Sequence, residues 1–274
     1  AVQARELTQL QTILSDQLDK FSSFNYVDGT IISGCNQNKA QVPYIKIDDN
    51  DAGSPSNAVT NLSSYVGDVV IGSSTGIRAE IIDTRDGIAS SAPLTKTLYL
   101  KYIDMGGTTN VNNLKHFDAN ETLTVETTRP NGTTSPNATN TFVTLATVGS
   151  ASQPEDYWHG TATKIQLDEG VVFAKGSFVK TDVISTYASL HGELDKRYVG
   201  FVITESIVTS ASDNSLLDPA SGTYNYNAPG ADRLKIEITL ASYAAGTATP
   251  SNFVRYLRVE DNAVDSVNIN GGDP

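Results

Sequence analysis

The stretch Gly72-Ser73-Ser74-Thr75-Gly76 has the G-x-S-x-G spacing of a nucleophile elbow, where a strand-to-helix turn exposes a serine above a parallel sheet. Strand-like sequence lies on both sides and no helical pattern follows, so a hairpin turn explains the glycines. Asp48-Asp49-Asn50-Asp51-Ala52-Gly53 crowds carboxylates as a calcium loop does. Started at Asp48, the EF-hand template meets Ala52 at its fifth position and Val59 at its twelfth, where a bidentate glutamate belongs. The segment reads as a solvated acidic turn, with a weak cation site as the alternative. His116, His159 and His191 lack the i, i+4 spacing of helical zinc ligands, and the H-x-E of His191-Gly192-Glu193 has no Cys-x-x-Cys to complete a hydrolytic zinc site, since Cys35 is the single cysteine. Trp158 and His159 form an aromatic pair that offers either a platform for a sugar or a packing anchor at a domain edge. Phosphate-binding Gly-rich loops and Cys knuckles are absent from the sequence, and Cys35, the single cysteine, has no internal disulfide partner. Carboxylate pairs for glycoside hydrolysis are placed by a fold, not by spacing. Sequons at Asn61, Asn120, Asn131 and Asn137 are chance matches in a chain rich in Asn and Thr. No motif calls for a catalytic residue, a metal or a cofactor.

Charge narrows the partners. The 274 residues carry 19 Lys+Arg against 31 Asp+Glu, a formal charge of −12. That balance argues against nucleic acid, whose binding rests on neutralising phosphates, and against an anionic membrane surface. No apolar run approaches the ~18 residues of a membrane-spanning helix. Only 18% of residues are charged, which leaves a polar, uncharged surface of the kind found on all-β structural and adhesive proteins.

The elements that would position any site follow from periodicity. Residues 3–22 form an amphipathic helix: Leu7, Leu10, Ile13, Leu14, Leu18 and Phe21 recur at spacings of three and four. Leu7, Leu10, Leu14 and Phe21 fit heptad a and d positions, with Gln17 at the intervening d, where a polar residue fixes register and copy number. The seam is shorter than the three to four heptads of a secure coiled coil, so a helix lying on its own domain is the alternative. After Ser22 the chain turns to short β runs punctuated by Gly, Asn, Asp and Pro. Ile77, Ala79 and Ile81 alternate with Arg78 and Glu80, the pattern of a half-buried strand. Residues 127–140 form the longest surface loop of a first β domain, and Gly149 to Glu155 is a linker. The expected architecture is mainly β: an N-terminal oligomerisation helix, 1–24, then sandwich- or barrel-like β domains at 25–150 and 151–274. A helical turn is conceivable at Ser189 to Lys196. Between Asp213 and Arg233 lies a long ordered loop, pinned by its aromatics and by Pro219 and Pro229.

Two stretches resemble a known family. Ala1-Val2-Gln3-Ala4-Arg5-Glu6-Leu7-Thr8-Gln9-Leu10-Gln11-Thr12-Ile13-Leu14 is similar to the early helix of a domain of unknown function found in bacteriophage tail and baseplate proteins. The second runs from Val199-Gly200-Phe201-Val202-Ile203-Thr204 through Ser215-Leu216-Leu217-Asp218-Pro219-Ala220 to Tyr224-Asn225-Tyr226-Asn227-Ala228-Pro229-Gly230. Weaker likenesses lie at Tyr65-Val66-Gly67, Ser74-Thr75-Gly76 and Thr97 to Tyr102. In such proteins an initiator methionine and a few residues precede the helix, so the chain is expected to be an ordered piece of a longer one. The resemblance implies a non-enzymatic structural part of a phage tail, in a baseplate or fibre-connecting position, assembled in the bacterial cytoplasm and carried in the virion. Its partners would be its own copies, as a homotrimer, and other tail proteins. Leu7, Leu10, Leu14, Gln17 and Phe21 would form the oligomer interface, and Leu216, Leu217, Tyr224 and Tyr226 a partner-contact loop. Two other classes of function stand beside it: a carbohydrate-binding adhesive module using loops 104–120 and 127–140 with Trp158, and a polysaccharide-degrading enzyme.

Overall fold

The structure, a computed structural model, describes residues 4–48, 50–51, 54–58, 61–86, 96–112, 114–145, 158–222, 224–261 and 263–267. Among them the chain runs through α1 (Ala4–Asn25), β1 (Ile31–Gly34), β2 (Gln37–Lys46), β3 (Asn50–Asp51), β4 (Ser54–Ala58), β5 (Val69–Gly72), β6 (Ile77–Arg85), β7 (Thr97–Met105) and β8 (Thr122–Val125). It continues through β9 (Thr141–Val143), β10 (His159–Leu167), β11 (Gly170–Ala174), β12 (Ser177–Thr181) and β13 (Ile184–Ser189). The last strands are β14 (Arg197–Val208), β15 (Arg233–Ala244), β16 (Phe253–Glu260) and β17 (Ala263–Val267). The protein is thus mainly β, with one N-terminal helix and several antiparallel sheets. No described helix is long and apolar enough to cross a membrane.

The chain divides into two compact units that are not consecutive segments. One comprises Ala1–Asn38, Ile165–Ala188 and Asp195–Pro274; the other comprises Lys39–Lys164 and Ser189–Leu194. A single boundary between residues 150 and 151 therefore does not describe the folding. The reason is long-range pairing: β1 hydrogen-bonds to β11 with Ile31 opposite Val172, which draws residues 25–38 into the group that holds β14 to β17. The segment Ser189–Leu194 joins the other unit, where it forms bends and no helical turn.

The unit around Lys39–Lys164 is built on the run β10-β2-β7-β6-β5-β8-β9 of the largest sheet. Ile77, Ala79 and Ile81 are fully buried with Ile45, Leu98, Leu100, Leu123 and Phe142, while Arg78 and Glu80 remain partly exposed, as their alternation predicts. Tyr44 and Tyr99 use the opposite pleat and are buried as well. Their hydroxyls donate to the carbonyls of His191 and Leu190, at 2.9 and 3.3 Å, so the Ser189–Leu194 segment covers that face.

Buried polar groups close the loops of this unit. The turn at Gly72–Gly76 joins the antiparallel strands β5 and β6, as a hairpin requires. Glu121, 3% exposed, accepts from the backbone N–H groups of Ser74, Thr75 and Asp118 at 2.9, 2.7 and 2.7 Å, and from the Thr75 hydroxyl at 2.9 Å. Gly72 leaves room for this carboxylate, because a Cβ there would overlap it. Loop 127–140 is tied down too. Arg129 donates through Nε to the wholly buried Asp68 carboxylate at 2.6 Å, and Asn137 donates through Nδ2 to its other oxygen at 2.8 Å.

The other unit packs the sheet β1-β11-β12 and the sheet β15-β14-β16-β17 around one cluster: Val172 and Ala174 with Ile165, Leu167, Val199, Phe201, Ile238, Tyr256, Leu257 and Val259. Side chains from two sheets meeting in one core is the mark of sandwich-like packing. Replacing Glu121 by alanine strands one buried and two part-buried N–H donors together with the Thr75 hydroxyl, so Glu121→Ala is expected to cost about 3 kcal/mol and Glu121→Gln less. Urea denaturation followed by circular dichroism measures both.

Candidate functional site

Helix α1 runs to Asn25, beyond the serine pair at 22–23. Ser22 does not end it, because its hydroxyl donates to the carbonyls of Leu18 and Asp19, at 2.6 and 3.1 Å, and also reaches that of Gly176. The base of the helix is thereby fixed to the β11–β12 hairpin, where Gly176 has φ +75° and a Cβ would overlap the Asp19 carboxylate. Just beyond, Tyr26 packs on Phe173 and Phe178 with ring centroids 5.7 Å apart in each case, and Asp28 accepts from the Lys175 N–H at 2.7 Å.

Above that base the apolar stripe faces solvent. Leu10, Leu14 and Phe21 are 55, 56 and 67% exposed. Gln17 is also exposed; the Leu7 side chain lies outside the described ones. The longer helix adds a residue that the sequence reading missed: Phe24, 91% exposed, at the next d position. Its signal is the spacing Leu10, Gln17, Phe24, which a helix bounded at residue 22 leaves out. Ile13 and Leu18, both exposed, fall at g and e and widen the stripe on either side.

A second exposed feature is the arm formed by β14 and β15. The two strands pair from Arg197 opposite Ala244 to Val208 opposite Arg233, but β16 pairs with β14 only as far as Val202. Thr204 to Ile207 are exposed, as are Leu234 and Lys235, and the loop 209–232 caps this ribbon. Its neck is closed by backbone bonds between Gly230 N–H and Leu216 C=O at 2.8 Å and between Asp218 and Ala228 at 3.0 Å. Leu216 is buried and holds the loop from inside, so it is not available to a partner; Leu217 is half-buried. Tyr224 and Tyr226 are exposed and do not pin the loop: the backbone neck and Leu216 do so.

The three histidines divide. His191 is buried, its backbone N–H donating to the Glu193 carboxylate at 2.9 Å, and its ring packs edge-on to Tyr44. His116 and His159 come together with ring centroids 3.9 Å apart and planes 19° from parallel, both against Trp158. Trp158 is 3% exposed and belongs to the core of its unit. It is a packing anchor, and its face is not open to a sugar. His116 Nδ1 lies 2.6 Å from the Phe117 carbonyl, which can only accept, so that nitrogen carries the proton. Burial, and then the neighbouring His116, hold His159 down at about 4. Near-parallel rings direct their in-plane lone pairs past each other, so the pair cannot share one metal ion. Among the described residues no group of three or more His, Cys, Asp and Glu could hold a metal. In the acidic segment Asp48 to Gly53, residues Asp49, Ala52 and Gly53 lie outside the described residues.

The family described as a domain of unknown function, DUF4815, matches residues 153–268. No curated protein and no solved structure matches the chain. The matched span includes the β14–β15 arm and its loop but not α1.

Because His159 stays neutral in the fold at pH values where a free imidazole takes up a proton, the unfolded chain binds more protons between pH ~6.5 and ~4. The stabilisation is complete above the upper value and is lost as pH falls toward the lower one. His159→Gln is expected to flatten this acid limb of a thermal-melt series while leaving the melting temperature at pH 7 within a few degrees of wild type.

Proposed function

We propose that the protein is a non-enzymatic structural component of a bacteriophage tail, in a baseplate or fibre-connecting position, that assembles as a homotrimer through α1. The observation that carries this reading is the exposed seam of Leu10, Leu14, Phe21 and Phe24 on a helix whose base is fixed to its own β unit. Burying such a side chain is worth about 1.5–3 kcal/mol, and large exposed apolar patches mark association surfaces. The same stripe on a second copy is its natural cover, since a and d residues are self-complementary. Ile13 and Leu18 beside the seam favour three helices over two, because a two-stranded coil leaves its e and g positions half in water. The tail context is supported by the resemblance of the helix and of the Val199–Gly230 region to tail proteins. The ribbon of β14 and β15, with Ile207, Leu234, Tyr224 and Tyr226 exposed, supplies a separate contact for other tail proteins, since an isolated two-stranded ribbon is marginally stable.

The test is solution mass. Light scattering on the full chain is expected to give three times the 29.2 kDa of one copy. The double variant Leu14→Asp/Phe21→Asp is expected to be a monomer with an unchanged β spectrum. A monomeric parent chain rejects the assembly mechanism.

A further inference from the structure

Beside Trp158, within one unit, lies a cleft of about 270 Å³ lined by Pro43, Tyr44, Tyr102, Lys115, His116 and His159. Its walls are mostly flat rings, and the Lys115 ammonium and the Tyr102 hydroxyl supply donors beside the imidazole nitrogens. Lys115 makes no ion pair among the described residues, in a chain where acidic residues outnumber basic ones. Tyr102 packs its ring on Phe117 with centroids 6.0 Å apart, and its hydroxyl has no hydrogen-bond partner among the described residues. Burial pushes that hydroxyl's pKa up, so it stays protonated and donates. The His159 ring likewise makes ring contacts only, and His116 spends Nδ1 on Phe117.

The cleft is preorganised. His116 sits on the loop after β7, which Asn110 staples by donating through Nδ2 to the carbonyls of Met105 and Leu114 at 2.9 and 2.8 Å. His159 opens β10, and Gly160 lets the Tyr44 ring approach: a Cβ there would come within 2.8 Å of the Tyr44 oxygen. A cleft just below the size of drug-sized pockets, with planar walls and few unpaired polar groups, fits a ligand of one ring. Pyranose C–H groups pack on the negative faces of aromatic rings, and an ammonium and a phenol O–H suit a carboxylate.

We propose that this cleft binds a single carboxylated sugar ring, a hexuronate, with its ring against Tyr102 and the His116–His159 pair and its carboxylate at Lys115. The site is distinct from α1 and operates whatever the number of copies.

Trp158 is the only tryptophan in the chain and touches both histidine rings, so its fluorescence reports on the cleft. The full chain is titrated with D-glucuronate, D-glucose and acetate, and binding is read independently by saturation-transfer NMR of the sugar protons. Saturable glucuronate binding is expected, with glucose and acetate each at least tenfold weaker. Lys115→Ala is expected to weaken glucuronate about tenfold, and Tyr102→Phe severalfold, with light scattering unchanged in both. A short oligouronate run in parallel separates the sources of the ring: tighter binding than the monosaccharide assigns a polysaccharide, and weaker binding a free sugar, each upholding the site. The proposal is overturned if neither readout shows saturation up to ~50 mM, which corresponds to less than about 2 kcal/mol of binding. It is equally overturned if acetate matches glucuronate, or if neither variant changes the affinity.

Discussion

Water on the apolar face of α1 is the constraint around which this structure is organised. A helix of 22 residues that exposes leucines and phenylalanines along one stripe gains little from its own propensity, since short helices in water owe their stability to what covers them. Its base is not free to turn the stripe inward. Ser22 is buried against the β11–β12 turn, and Tyr26 closes an aromatic group with Phe173 and Phe178. Helix and mount together leave an exposed apolar stripe, which identical helices would cover in the proposed homotrimer. Gln17, in the middle of the seam, is the residue that would make staggered pairings costly by placing an amide against hydrocarbon.

The β units supply rigidity without cross-links. Cys35 is the only cysteine, buried and unpaired, so no disulfide braces the chain. Polar interlocks do this work in the unit that holds Lys39–Lys164. The Glu121 carboxylate ties the β5–β6 turn to the loop before β8, and Asp68 holds loop 127–140 through Arg129 and Asn137. Such interlocks are unforgiving, because a buried donor or charge that loses its partner costs more than the pair contributes. They also keep the surface loops in one shape, which suits a part that holds geometry through many weak contacts.

Much of the architecture is legible in the sequence. Alternation at Ile77 to Ile81 gives a strand with one buried face, the glycines of 72–76 give a hairpin, and Ser177 to Thr181 reads directly as a strand, the one that pairs with β11. Local patterns fail where tertiary contacts decide. The apolar spacing bounds the helix at residue 22 and leaves out the seam residue Phe24, because the bonds from the Ser22 hydroxyl to the Leu18, Asp19 and Gly176 carbonyls belong to the fold. β13 and β17 have too few apolar residues to stand out, and β3–β4 includes a proline. The interleaving of the units depends on β1 finding β11, a pairing between distant segments that no local periodicity encodes. The cleft at Lys115 is invisible for the same reason: His116 and His159 are unremarkable singly and meet only because β2, β7 and β10 lie side by side.

Amide hydrogen exchange on the intact protein tests the proposed covering of α1 most directly, since protection reports local opening. The account predicts that amides of residues 10–21 are protected at high protein concentration and lose protection on dilution, while those of β14 and β16 remain protected throughout. Helix amides that exchange freely at every concentration, or that stay protected in a monomer, would contradict the claim that copies of the chain cover one another's stripe.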